Sequence, residues 1–191
     1  MKYFRIIFIA IIILCYNHAN AQNEQKIKFN LRGGLGSNYS IAVYNFGVNA
    51  NIGGYTEFAL NEKYKGWKFN VGTRLSNKNF AWKNTNTNVS LLFIDIPLLF
   101  SYDFDLNPQN AIRLEFGPYY SQYVAGAFFS EGVNMGSAFH KGYYTPCNVG
   151  FMLGGGIWHK EFYIGANLDF IYDLAGEDAF PAFYMTAGYR F

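Results

Sequence analysis

Charge is scarce in this chain of 191 residues: Asp, Glu, Lys and Arg make up 15% of it, against about 25% in ordinary soluble domains. With a formal net charge of only +2, there is no clustered basic surface to neutralise phosphates, so a nucleic-acid partner is not expected. Cysteine occurs twice and proline five times. Beyond the first segment no run of about 18 apolar residues could cross a bilayer as a helix. Two separated histidines in the remaining chain make no metal cluster, and no phosphate-binding glycine loop is present, so neither metal nor cofactor is expected. What is abundant is aromatic: 20 Phe and 16 Tyr, with 20 Gly. That composition excludes a disordered tail. The length suits one domain, and the mean hydropathy of -0.02 is neutral.

The first segment reads as an export signal. Lys2 and Arg5 precede the apolar stretch Ile6 to Leu14, and Ala19-Asn20-Ala21 has the small-x-small cleavage pattern, so residues 1–21 are expected to be removed. The stretch is too short for a membrane anchor, and Leu14 before Cys15 does not suit a lipoprotein signal. The domain is then 22–191. It loses two cations and no acids, which leaves it neutral. Cys147 remains alone, without an internal disulfide, and is expected as a small buried hydrophobe.

The rest of the chain alternates with period two, the mark of strands with one apolar and one polar face. Ile27, Phe29, Leu31 and Leu35 oppose Lys28, Asn30 and Arg32. Phe46, Val48, Ala50, Ile52 and Phe58 oppose Asn49, Asn51, Tyr55 and Glu57. Trp67, Phe69, Val71 and Leu75 oppose Lys68, Asn70 and Arg74, and Leu92 to Phe104 sets Ile94, Ile96, Leu98 and Phe100 against Asp95, Pro97, Ser101 and Asp103. Four more segments follow, centred on Leu114, Leu153, Leu168 and Met185. Eight strands without helical periodicity predict an all-β, antiparallel, up-and-down barrel. Connections near 61–64, 105–110 and 159–161 are short; those near 37–43, 77–88, 126–145 and 173–180 are longer, the asymmetry of a transmembrane barrel with short periplasmic turns and longer outer loops.

Alternation alone fits a soluble lipocalin-like barrel equally well, with the apolar face inward. The placement of charge decides between them. Arg32, Arg74, Arg113 and Arg190 lie on the polar parity, and so do Glu57, Asp95, Glu115 and Asp169. Four against four suggests pairing in a narrow lumen, where the planar guanidinium fork satisfies carboxylates well. Most lysines, Lys78 among them, are expected in turns and loops. Glycines such as Gly72, Gly150, Gly165 and Gly188 share the polar face and would make room for Arg and Tyr. On the apolar face, Phe58, Trp67, Tyr102, Phe104, Phe162, Tyr189 and Phe191 would form one aromatic girdle, and Tyr44, Phe46, Tyr120 and Tyr172 the other.

Ile94-Asp95-Ile96-Pro97-Leu98-Leu99, Gly117-Pro118-Tyr119 and the glycines at 150, 154 and 156 resemble segments of the porin-like outer-membrane β-barrel family of Bacteroides-type Gram-negative bacteria, which includes PorT-like proteins. The terminal Tyr189-Arg190-Phe191 is similar to the aromatic-x-Phe ending read by the outer-membrane insertion machinery. The resemblance implies an eight-stranded outer-membrane barrel whose partners are outer-membrane lipid and that machinery. Thr186 and Asp95 depart from the family's Gly and Glu. Pro97 removes a ladder hydrogen bond and is expected to sit in a bulge.

Some small outer-membrane barrels modify lipid A with a His, a Ser and a carboxylate. His140, with Ser130, Glu131 and Ser137 nearby, is the available set, but no fixed spacing positions these residues, so no catalytic residue is expected. Eight strands leave an interior just wide enough for side chains, so a wide pore is not expected either. The reading is a monomeric outer-membrane barrel with a structural role, or with aromatic outer loops that bind an extracellular ligand or protein; the alternatives are a lipid A-modifying outer-membrane enzyme and a narrow channel for small solutes.

Overall fold

In the computed structural model of the chain, the described residues are 27–40, 45–61, 66–81, 87–130, 133–137, 147–172 and 179–191. The proposed export signal lies outside them. They form β1 (Ile27–Ser40), β2 (Asn45–Ala59), β3 (Gly66–Ala81), β4 (Thr87–Asn107), β5 (Asn110–Ser130), β6 (Val133–Ser137), β7 (Cys147–His159), β8 (Phe162–Tyr172) and β9 (Ala179–Arg190). The order β4-β3-β2-β1-β9-β8-β7-β5 closes on itself through β4–β5 pairing. Eight antiparallel strands therefore make a complete wall. β6 stands outside it, pairing with Ala127–Ser130 of β5 beyond the stretch that pairs with β7.

Following cross-strand partners round the wall from Ile27 through Phe58, Phe69, Phe100, Phe116, Leu153, Leu168 and Phe183 leads back to β1 at Ser37, ten residues beyond the start. A stagger of ten over eight strands tilts them by about 40° and gives a backbone radius of about 8 Å. A wall of that radius has no side-chain-free channel.

Parity then decides what faces where. Leu35, Ile164 and Leu153 point outward with half or more of their surface exposed, whereas Glu57, Asp95, Arg113, Glu115 and Asp169 point inward and are fully buried. Charge inside and aliphatic side chains outside invert the arrangement of a water-soluble domain. Outside, Trp67 packs on Tyr102 at 5.2 Å, Tyr102 on Phe104 at 4.5 Å, and Tyr189 on both Phe162 and Phe191 at 5.1 Å. These rings cluster at the end of the barrel that carries the short turns. At the opposite, loop end, Tyr39 and Phe46 pair at 5.1 Å, and Tyr44 lies outside the described residues.

Three expectations are corrected. The strands run on into segments expected as loops: β1 reaches Ser40, β3 reaches Ala81 and β5 reaches Ser130, because the alternation fades there, into mostly polar residues on both faces in β1 and β3 and into Ala and Phe on both faces in β5, while the ladder continues. Lys78 accordingly sits within β3, paired with Asn49 and Leu91, and is buried. Pro97 is not in a bulge. The β3–β4 ladder passes from Val71↔Leu98 to Arg74↔Asp95 without changing register, since losing one N–H opens a ladder locally without adding a residue. The register shifts of the β4–β5 ladder fall instead between Leu92 and Phe93, opposite Val124, and between Asp105 and Asn107, next to the turn.

Candidate functional site in the barrel lumen

The lumen is layered. At the turn end, Arg113 on β5 donates from Nη1 and Nη2 to Glu57 of β2, at 2.6 and 3.1 Å, and from Nε and Nη2 to Asp103 of β4, at 2.6 and 2.9 Å. Arg32 on β1 donates from Nη1 to both oxygens of Glu115 at 2.7 Å, with Glu57 3.5 Å away. Lys68 pairs with Asp103, and Arg190 lies 3.5 Å from Glu57 and 3.9 Å from Asp103. The Arg190 guanidinium rests 3.7 Å above the Trp158 ring, and that of Arg32 lies between Tyr55 and Tyr163 at 4.8 and 4.9 Å.

The second charged layer centres on Arg74 of β3. Its Nε donates to Asp95 at 2.9 Å and its Nη2 to Asp169 at 2.5 Å. Asp95 also accepts from Ser76 at 2.8 Å and Ser121 at 2.6 Å. Arg74 thus ties β3, β4 and β8, while the turn-end cluster ties β1, β2, β3, β4, β5 and β9. Interactions reach across the lumen between strands that are not neighbours in the sheet.

An apolar septum separates the two. Tyr55, Leu99, Tyr119, Met152 and Ile171 form one buried cluster. Leu99 lies between Asp103 and Asp95 along β4, and Tyr55 lies between Glu57 and Gly53, the cross-strand partner of Arg74. Nearer the loop end, Val89, Leu91, Phe93 and Tyr123 fill the interior. There the Lys78 ammonium lies 5.2 Å over the Phe93 ring and has no hydrogen-bond partner among the described residues.

Glycine makes this filling possible by leaving space. A Cβ at Gly150 would strike the Tyr119 ring, one at Gly165 the Tyr163 hydroxyl, one at Gly72 the Tyr55 ring, and one at Gly188 the Arg32 side chain. Three of these side chains lie over a glycine of a neighbouring strand, and Tyr163 lies over Gly165 of its own strand.

All eight lumen residues singled out in the sequence, Arg32, Glu57, Arg74, Asp95, Arg113, Glu115, Asp169 and Arg190, occupy these two layers. Lys68, Asp103 and Lys78 were not among them. Lys68 and Asp103 share the lumen parity of their strands, so the signal was present in the alternation; Lys78 lies where alternation had faded. Tyr189 and Phe191 are exposed at the turn end, and the Phe191 N–H donates to the Phe29 carbonyl at 2.8 Å. Cys147 is half-buried at the start of β7. Of the hydrolase-like set, Ser130 ends β5 and Ser137 ends β6, while His140 and Glu131 lie outside the described residues.

No protein-family model matches the chain, and no curated protein does. Solved structures do. The outer membrane enzyme PagL superposes with a TM-score of 0.58 at 11% identity, covering 84% of this chain and 98% of that one. The fold is that of a small outer-membrane barrel. Neisserial surface protein A superposes with a TM-score of 0.51 at 12% identity, over 86% of this chain and 97% of that one. At these identities the shared property is the closed eight-stranded barrel fold.

Proposed function

We propose that the protein is exported, inserts in the outer membrane as a monomer with its short turns toward the periplasm, and serves there as a structural barrel or as a scaffold for binding loops. It belongs on this reading with the PorT-like, porin-like barrels. The single observation that carries it is the filled lumen: two ion-paired layers and an apolar septum occupy the interior, which supports a barrel without a wide pore whose function lies in the wall and its ends. The exposed Tyr189 and Phe191 support recognition by the insertion machinery. A closed interior also supports the non-enzymatic reading, because the barrel then offers no reaction chamber within the membrane.

Membrane fractionation with heat-modifiable gel migration tests the placement. The chain is expected in the outer-membrane fraction, migrating differently before and after boiling; recovery as a soluble protein with one mobility would overturn it. A change in lipid A on expression, abolished by His140→Ala, would overturn the non-enzymatic role.

A further inference from the structure

The turn-end mouth of the barrel is a cavity of about 680 Å³, within the range of roughly 300 to 1,000 Å³ typical of small-molecule sites. Its wall includes Lys28, Lys68, Lys160, Arg190, Trp158 and Asn110. We propose that this mouth binds a polar ligand that ends in a carboxylate. The binding itself follows from the mouth's own residues; only its exposure to the periplasm rests on the orientation proposed above.

Charge in the mouth is graded with depth. The deep carboxylate, Asp103, is held by Lys68 and by Arg113. Asp105 and Glu161 are exposed at the rim. Cations run from rim to interior: Lys160 is exposed, Lys28 is half-buried, and Arg190 is only 11% exposed, with its guanidinium flat on Trp158; Glu57 and Asp103, 3.5 and 3.9 Å from it, are each held at shorter range by Arg113. A ligand with its negative charge at the tip and a neutral polar body matches that gradient, whereas one that is anionic along its length meets the rim carboxylates. Arg is the side chain best shaped to receive a carboxylate.

The frame is preorganised. Asn107 Oδ1 accepts from the N–H groups of Gln109 and Asn110, each at 2.9 Å, closing the β4–β5 turn. That turn is tied to the next one by Lys160 N–H donating to the Gln109 carbonyl at 2.7 Å and by a 2.8 Å bond between His159 Nδ1 and Asn110 Oδ1. Arg190 N–H donates to the Glu161 carbonyl at 2.8 Å. A rigid rim lowers the ordering cost of binding.

The test titrates the refolded full-length domain in detergent micelles with trialanine, with trialanine amide and with inorganic phosphate, following the Trp158 indole N–H resonance. Trialanine is expected to shift it saturably, and the amide to bind about tenfold more weakly, the worth of one charge-assisted contact. Lys28→Gln and Lys160→Gln, one half-buried and one on an exposed turn, are each expected to weaken trialanine binding while keeping heat-modifiable migration. No saturable shift, equal affinity for the amide, unchanged affinity in both variants, or phosphate binding as tightly as trialanine would each overturn the proposal.

Discussion

Arg113 and Glu57 face each other across the lumen, on strands that are not neighbours, and both nitrogens of the guanidinium fork meet the carboxylate at 2.6 and 3.1 Å with neither residue exposed. Buried pairs of this kind offer little over an apolar pair of equal volume, but removing one partner strands a charge at a cost of about 3 to 5 kcal/mol. Glu57→Gln and Arg113→Met are each expected to destabilise the barrel by that order in urea unfolding from lipid vesicles. The double variant is expected to lose clearly less than the sum; additive losses would mean that the contact carries no coupling.

Tyr119 lies over Gly150, so a side chain at 150 must displace the ring that anchors the septum. Gly150→Val is expected to cost about 1 to 3 kcal/mol as an overpacking substitution. Restoring space with Tyr119→Ala in the same chain should recover part of the loss. No recovery would place the strain elsewhere.

Leu153 points outward from the middle of β7 and is half exposed. Leu153→Arg is expected to destabilise the vesicle-embedded barrel by about 2 to 4 kcal/mol, the price of a cation near the bilayer midplane. A change below about 0.5 kcal/mol, the usual size at a water-exposed surface, would argue against a lipid-facing position.

Conductance reports on the septum. The intact barrel is expected to give no large, stable steps in planar bilayers, because Leu99, Met152 and Tyr55 lie between two ion-paired layers. Regular large steps from the unmodified chain would contradict the closed lumen.

How far the fold could be read beforehand follows from how lipid and lumen constrain each face. Between Phe29 and Leu31, or between Phe183 and Met185, every second residue must be apolar, so strand number, parity and topology were legible. Beyond the apolar band that constraint lapses. Ser76-Asn77-Lys78-Asn79 is polar on both faces, so the alternation predicts an early end to β3 and puts Lys78 in a loop. Val89-Ser90-Leu91-Leu92-Phe93-Ile94 is apolar on both faces, which concealed that Leu91 and Phe93 enter the lumen. Pairing partners were less legible than parity, because a contact such as Arg74 with Asp169 depends on the ten-residue stagger, which no single strand encodes. Nothing in the sequence marked β6, a five-residue strand whose only described partner is the extension of β5.

The central claim is that the apolar parity faces lipid and the charged parity fills the lumen. Carbene labelling from a photoactivatable reagent dissolved in the bilayer, read residue by residue along β9, tests it most directly. The account predicts modification at Phe183, Met185 and Ala187 and protection at Tyr184, Thr186 and Gly188. Labelling without a period of two, or confined to the second set, would contradict it.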